Sequence, residues 1–600
     1  VRTSPSFEKL MDATGYARRA QQDKLVATLA APREHPVFVQ AGTGVGKSFA
    51  ILSHAADVGS PGYPAIVGTI TNGLLDQYVY KDLPTVARAT GTTFIRVLGR
   101  SHYACADSQG AKADGISGAA DRHAWLEAHS TADFAVAGEL AAEGMHWSYR
   151  CPGYPECKAN TRISEDNPNP WGGCAAKRAR QRARDVSIVL TNFHVLYYNH
   201  LLGGILLPEA VEILIDEAHR LPDTIRDLKT VELGPGAGSA VYASVPRLAE
   251  ATEKVVTFAT QLDTPWGHKS AWDTERPVNM ARSGAQGAFL ARYRADLEEH
   301  LAALETMAAA GEEVRGIGTT RNLITLAGIM ETGETLNWTA VHRQDKPGEI
   351  VLIPVTAHER TVAEMVDGGA LVTGTAGGTL PARCGYRDVP LADVGHPFDY
   401  ARQVKGWISE VTGVKADNKP DSPNLERRLA EMAEFTDNRA SLILCTSHAD
   451  VRAVAMELQR RGRQAVFVQP TEGGSMAAKE TARAYEAWVD AGNPATLIGT
   501  ESYATGLDLP GKKLTHLVLW SYFGMVDHVS EKMTRRYRYF VEEQRHSRVV
   551  QSIGRLIRST SDTGEVLVSD NRFWALLKRC DSMLDRHLRD IPWSAYPAPR

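Results

Sequence analysis

Apolar residues along this chain fall into short runs that turn-forming residues separate. Val37–Gln40, Ala65–Thr71, Val186–Thr191 and Val211–Ile215 are each four to seven residues long. Runs of this kind are buried strands, and continuous rather than alternating apolarity favours a parallel sheet covered on both faces. Between them lie longer segments with helical spacing, among them a helix running to Leu29 and one beginning at Phe49. Ala370–Ala376 reads as a strand returning to the same sheet. After a stretch rich in Pro, Gly and Asp, Leu380–Ser422, which reads as a linker, a second series begins. Its strands are Ser441–Ser447, Ala465–Val468, Ala495–Gly499, Thr515–Trp520 and Glu565–Val568. Strands alternating with helices predict an α/β fold built from two such units.

Two stretches break the rhythm of the first unit. From Gly99 to Cys174 strand patterns are sparse. From about 233 to 350 the pattern is mostly helical, with Ser283–Ala310 rich in Ala, Leu and Glu and with Gly311–Gly318 interrupting it. Both read as insertions. The predicted organisation is a first P-loop domain in three parts (1–98, 186–232 and 351–400, the last with the linker), an insertion at 99–185, a helical insertion at 233–350, and a second α/β domain at 401–600.

The first strand runs into Ala41-Gly-Thr-Gly-Val-Gly-Lys-Ser48. A glycine-rich turn between a strand and a helix lets backbone N–H groups converge on phosphates, and the helix N-terminus adds partial positive charge. Gly42, Thr43, Gly44 and Gly46 form the cradle for ATP. Lys47 is placed to reach the β- and γ-phosphates, and the Ser48 hydroxyl to ligate Mg²⁺. The strand Val211–Ile215 ends in Asp216-Glu217-Ala218-His219. A carboxylate there holds Mg²⁺ and a neighbouring Glu orients the attacking water, which assigns these roles to Asp216 and Glu217. Gln21, beside Arg18 and Arg19, is a candidate adenine-reading amide. In the second unit Gln551, Arg555 and Arg558 fall at i, i+4 and i+7 of a predicted helix, on one face. With a single P-loop for two units, these arginines are candidate fingers on the γ-phosphate. Gly554 permits close backbone approach within that helix.

Composition adds limits. At 600 residues the chain exceeds one core, and three to four domains is roughly the expectation. A net charge of −4 does not advertise a nucleic-acid partner, so such a partner would have to meet a local basic surface. One such surface is Lys177, Arg178, Arg180, Arg182 and Arg184 on a predicted helix. Thr69 and Thr71, and Thr446 and Ser447, stand at the ends of strands, the edge where open α/β sheets bind ligands. No apolar run spans a membrane. The start, Val1-Arg-Thr-Ser-Pro, has neither an initiator Met nor an apolar leader, as in a sequence whose first residues are missing. Seven cysteines, an odd number, argue for a reducing, cytoplasmic setting. Four of them, Cys105, Cys151, Cys157 and Cys174, lie in the first insertion with 45, 5 and 16 residues between them. Four thiolates suit a [4Fe–4S] cluster or zinc, while aromatic residues near the last three also allow a packed segment with no metal.

Taken in order, these motifs resemble the DinG/XPD family of superfamily-two DNA helicases. The resemblance runs from about Gly15 to Asp570. It rests on the P-loop, Asp216–His219, Thr373-Gly-Thr-Ala376, Thr505-Gly-Leu-Asp508 and Gln551–Arg558. It implies two tandem RecA-like domains, with a cysteine-bearing insertion and a helical arch in the first. It further implies ATP-driven 5′→3′ movement on single-stranded DNA and unwinding of tailed duplexes, by a chain expected to act as a monomer. Gly506 and Asp508 join the nucleotide-binding set, and the four cysteines become candidate cluster ligands. Thr505 departs from the family, which usually has Glu there. The compact insertions look closer to the DinG helicases attached to type IV CRISPR systems, which would make a crRNA-guided complex a partner. Competing readings are a chromosomal DinG-like repair or R-loop helicase, a nuclease-coupled or RNA-directed helicase, an ATPase that remodels protein–nucleic acid complexes, and a binding module with a dead ATP site.

Overall fold

A computed structural model describes residues 4–105, 121, 174–233, 242, 245–261, 285–309, 316–332, 338–342, 350–375, 377–412, 423–471, 474–500, 509, 511–520, 528–579 and 588–597. The chain first lays down β1 (Val37–Ala41), β2 (Ala65–Thr69), β3 (Phe94–Arg96), β4 (Ile188–Asn192) and β5 (Glu212–Ile215). After β6 (Val231–Leu233), β7 (Trp338–His342) and β8 (Ile350–Pro354), it returns with β9 (Ala370–Thr373) and β10 (Leu391–Gly395). The first sheet has the order β10-β1-β9-β5-β2-β4-β3, with every pairing parallel. β2, β4 and β9 are buried along their whole length, which is why they are apolar runs without alternation.

The second sheet holds β11 (Val404–Ile408), β12 (Ala440–Leu444), β13 (Val466–Val468), β14 (Ala495–Gly499), β15 (His516–Leu519), β16 (Gly564–Val568) and β17 (Trp593–Ala595). Its order is β13-β14-β12-β15-β16-β11-β17, again parallel throughout. Helices cover both faces. One side buries Leu442, Leu497, Leu517 and Val566, and the other Ile443, Ile498, Val518 and Leu567, so successive residues point to opposite cores.

The stretch read as a linker is not one. Leu380–Ser422 contains β10, which closes the edge of the first sheet against β1, and β11, which already belongs to the second. Both are five residues long and sit among turn residues, so the local pattern is weak and tertiary pairing decides. The helical insertion also holds more than helices. Pro246–Gln261, Ala285–Ala309 and Ile317–Thr332 stand on a base of β6, β8 and β7, an antiparallel sheet. Leu233, Leu248, Tyr293, Leu326 and Leu352 give this insertion its own core.

Candidate functional site

Three adjacent strands, β1, β9 and β5, deliver the motifs to one edge. β1 ends at Ala41 and the chain turns through Gly44 (φ 78°) and Gly46 (φ 89°), a left-handed path that side chains resist. The helix Lys47–Val58 follows directly. Gln22, from the helix Ala20–Leu29, braces the turn by donating to the Gly46 carbonyl at 3.2 Å. Gln21 donates its amide to the His396 carbonyl at 3.1 Å, so the candidate adenine reader is tied to the segment after β10. His396 stacks on Tyr400, whose hydroxyl lies 3.4 Å from Thr43 Oγ1. The Lys47 ammonium donates to the Ala41 carbonyl at 3.3 Å.

β5 hands over to Asp216, which is buried. Its Oδ2 accepts from the Tyr78 hydroxyl and its Oδ1 from the Glu217 amide, both at 2.9 Å. Burial and the adjacent Glu217 charge push the Asp216 carboxyl up to about 6, against the pull of Lys47. The Ser48 hydroxyl is a hydrogen-bonding neighbour of both Tyr78 and Asp82. Hydroxyl and carboxylate oxygens thus gather at the start of the P-loop helix, a hard-oxygen donor set that fits Mg²⁺. Tyr78 and Asp82 bound a single π-helical segment, Tyr78–Asp82. Such bulges collect at functional sites, but no sequence pattern signalled this one.

Glu217 has φ 53°, a strained conformation for a residue with a side chain. The strain turns the chain so that His219 faces β9. His219 Nδ1 lies 2.8 Å from Thr373 Oγ1 and 3.4 Å from Glu217 Oε2. Burial, with Arg220 nearby, lowers its imidazole to about 3, so it is neutral. Its Nε2 accepts from the Gln551 amide at 3.0 Å, and the same amide donates to Thr375 Oγ1 at 2.8 Å. Gln551 belongs to the second unit, on the helix Phe540–Leu556. Gly554 brings that helix against the P-loop, where an added Cβ would stand 2.7 Å from Thr43 Cγ2. The helix stops at Leu556, so Arg558 lies beyond it and not on its face. Ile557 turns extended, and Asp562 Oδ2 accepts from the Arg558 and Ser559 amides at 2.8 Å, ending the helix. Arg558 still faces the P-loop side, as a charge neighbour of Tyr400. Gly506 and Asp508 lie outside the described residues.

Residues 429–590 match the family described as the helicase C-terminal domain. The chain is 25% identical to the ATP-dependent DNA helicase YoaA of Escherichia coli, over 92% of this chain and 91% of that protein. It is 24% identical to the ATP-dependent DNA helicase DinG of Photobacterium profundum, over 93% of each. In fold it resembles a solved XPD helicase with a TM-score of 0.54 at 14% identity, covering 97% of this chain and all of that one. The Xpd4 structure of S. tokodaii gives 0.52 at 12% identity, over 98% of this chain and 99% of that one. Over nearly its whole length the chain is thus similar to DinG- and YoaA-type ATP-dependent DNA helicases, with an XPD-like fold.

The candidate nucleic-acid residues divide. Thr69 is fully buried at the end of β2, so its side chain cannot reach a strand running over the sheet edge. β2 is covered on both faces to its last residue. Thr71 is exposed and caps the helix Asn72–Gln77 by accepting from the Leu74 amide at 3.2 Å. Thr446 and Ser447 are exposed beyond β12, and Ser447 caps His448–Arg460 by accepting from the Asp450 amide at 3.1 Å. The basic helix is Ala175–Arg182. Its alanines 175, 176 and 179 face the core, while Lys177, Arg178 and Arg180 are half-buried and Arg182 and Arg184 exposed. Arg180 also lines a cavity of about 620 Å³ with Asn72, Arg100, His102, Asn192 and Tyr198. Asn192 donates to Asn72 Oδ1 at 3.0 Å across this cavity. These residues come from three segments, at 72, 100–102 and 180–198, and the sequence pattern singled out only the arginine of the helix.

Cys105 and Cys174 are both partly exposed thiols, and Cys174 is a charge neighbour of the buried Tyr103. Cys151 and Cys157 lie outside the described residues. Cys105 and Cys174 stand at the two ends of a 68-residue segment and have the thiol chemistry a cluster takes, and among the described residues no three metal-ligating side chains come together. Among the described residues no helix is long and apolar enough to cross a membrane.

Proposed function

We propose that this chain is an ATP-driven DNA helicase that moves 5′→3′ along single-stranded DNA and opens tailed duplexes. The observation that carries this reading is the bond from Gln551, on the second sheet's helix, to His219 beside Glu217 on the first. A hydrolytic carboxylate wired to the other domain is what converts nucleotide turnover into domain movement. Lys47 and the P-loop amides hold the phosphates, and Glu217 orients the attacking water. Arg555 and Arg558 act on charge developing at the γ-phosphate from across the cleft. Ser48 and Asp216 would hold Mg²⁺, which would supply positive charge against the phosphates. DNA crosses the strand ends of both sheets, past Thr71, the basic helix and Thr446–Ser447. The relatives' names support DNA as the substrate.

A [4Fe–4S] cluster on Cys105, Cys151, Cys157 and Cys174 belongs to the same reading and would brace the first insertion. A type IV CRISPR effector as recruiting partner rests on the compactness of the insertions alone. Co-purification with a crRNA-guided complex tests it. For the helicase itself the experiment is ATPase and unwinding with 5′-tailed and 3′-tailed duplexes. Turnover stimulated by single-stranded DNA, with unwinding of the 5′-tailed substrate only, is the expected result. Turnover indifferent to DNA would favour an ATPase that remodels protein–nucleic acid complexes.

A further inference from the structure

Glu543 sits on the same helix as Gln551, eight residues earlier, and is nearly buried. Residues 543, 547 and 551 share one helix face, spread over about 12 Å. All three reach first-domain residues that follow β9, Thr375, Gly378 and Thr379. Gln551 donates to Thr375 Oγ1, and Ser547 Oγ donates to the Thr375 carbonyl at 3.0 Å. The Glu543 carboxylate accepts from the Thr379 amide at 3.3 and 3.4 Å, from the Thr379 hydroxyl and from the Gly378 amide. An added Cβ at Gly377 would lie 2.0 Å from the carboxylate carbon. Arg383, stacked 4.9 Å over Phe540 and bound to Asp223 at 2.6 Å, faces the carboxylate as a counter-charge.

A buried carboxylate is costly unless its oxygens are bonded. Here the bonds are made across the domain boundary, to the Gly378 and Thr379 amides and to the Thr379 hydroxyl, so most of them fix position rather than side-chain identity. The loop they grip is continuous with Thr373, which is bonded to His219.

We propose that Glu543 is a positioning residue for ATP turnover: its bonds to residues 378 and 379 dock the start of the helix so that Gln551 stays against His219. The proposal rests on the helicase reading above. It makes Glu543 and Gln551 two ends of one lever, with Ser547 between them. Loss of the Glu543 contact frees the helix to pivot, and the hydrolytic geometry is reached less often.

The test compares Glu543→Ala, Glu543→Gln and Gly377→Ala by steady-state ATPase, with nucleotide affinity measured separately by a fluorescent ADP analogue. Losing a bonded buried contact is worth about tenfold in rate. Glu543→Ala is expected to lower kcat about tenfold with ADP affinity unchanged. Glu543→Gln, which still accepts from the Thr379 amide, is expected to recover most of that loss. Gly377→Ala pushes the carboxylate away from outside the helix and is expected to copy Glu543→Ala, with no further loss when the two are combined. Added to Gln551→Ala, Glu543→Ala is expected to have little further effect, because both act through His219. Wild-type kcat in both Glu543→Ala and Gly377→Ala, with Lys47→Ala inactive, overturns the proposal and leaves the ATPase reading standing. An equal fall in nucleotide affinity, or a full additional loss in the Gln551→Ala background, overturns it in favour of a merely structural contact. Turnover insensitive to Lys47→Ala overturns the functional reading and this proposal with it.

Discussion

Gly554→Ala probes the seam between the second domain and the P-loop with a single methyl group. The added carbon would stand 2.7 Å from Thr43 Cγ2 and 2.9 Å from Thr43 Oγ1. Carbon atoms in contact sit about 3.5–4.0 Å apart, so the helix and the loop must separate by roughly 1 Å. Overpacking of this kind costs about 1–3 kcal/mol. Alanine also improves the helix itself by about 1 kcal/mol, but that gain is present whether the seam is closed or open, so it does not offset the clash. Closure should therefore become harder by a factor of about 5 to 150. The assay is ATP turnover with and without single-stranded DNA, beside ADP affinity and a thermal melt. The expected result is kcat reduced within that range, near-normal ADP affinity, and a melting temperature equal to or above wild type. Thr43→Ser, which removes the nearer carbon, should return part of the lost turnover to the Gly554→Ala protein. Undiminished turnover in Gly554→Ala would refute the idea that Gly554 and Thr43 meet in the working cycle.

Other outcomes follow from the same geometry. Lys47→Ala and Glu217→Gln should each cut ATP hydrolysis by about two orders of magnitude, the scale of a lost preorganised contact. Arg555→Ala and Arg558→Ala should lower kcat far more than nucleotide affinity, and the opposite pattern in either would assign that arginine to ground-state binding. Replacing Arg178, Arg180 and Arg182 together should weaken DNA binding and flatten its salt dependence, and unchanged affinity would remove this helix from the DNA path. Burial pushes the Glu543 carboxyl up to about 7 from 4.5. The folded chain therefore binds the proton more tightly than the unfolded chain, and stability falls as pH rises through that window. Relative to Glu543→Gln, wild type should lose up to about 3 kcal/mol between pH 4.5 and 7 in denaturant melts, and parallel pH profiles would refute this. Anaerobically prepared protein should carry about four irons per chain if the four cysteines hold a cluster, and colourless protein that still unwinds 5′-tailed DNA would exclude one.

Much of this protein is legible without coordinates, because some of its chemistry is strictly local. The P-loop is a strand, a glycine turn and a helix within twelve residues, so Gly42 to Ser48 carry their own context. Asp216 and Glu217 follow directly from a buried strand. The strands that proved easiest to place are those covered on both faces, where burial demands unbroken apolar runs. β10 and β11 were lost in an apparent linker because each is short and takes its identity from its partner in a sheet. Arg558 left the helix because Asp562, four residues later, competes for its backbone amide, which a periodicity count cannot register. Thr69 is buried because β2 is covered on both faces to its last residue. Pairings across the chain were illegible for a simpler reason. Gln551 meets His219 over 332 positions, and Glu543 meets Thr379 over 164. Tyr78 reaches Asp216 over 138. Sequence determined which side chains have the right chemistry, since that is a property of each residue and its immediate neighbours. Only the tertiary structure decided which of them share a site, because packing two sheets against one another sets distances that no local pattern encodes.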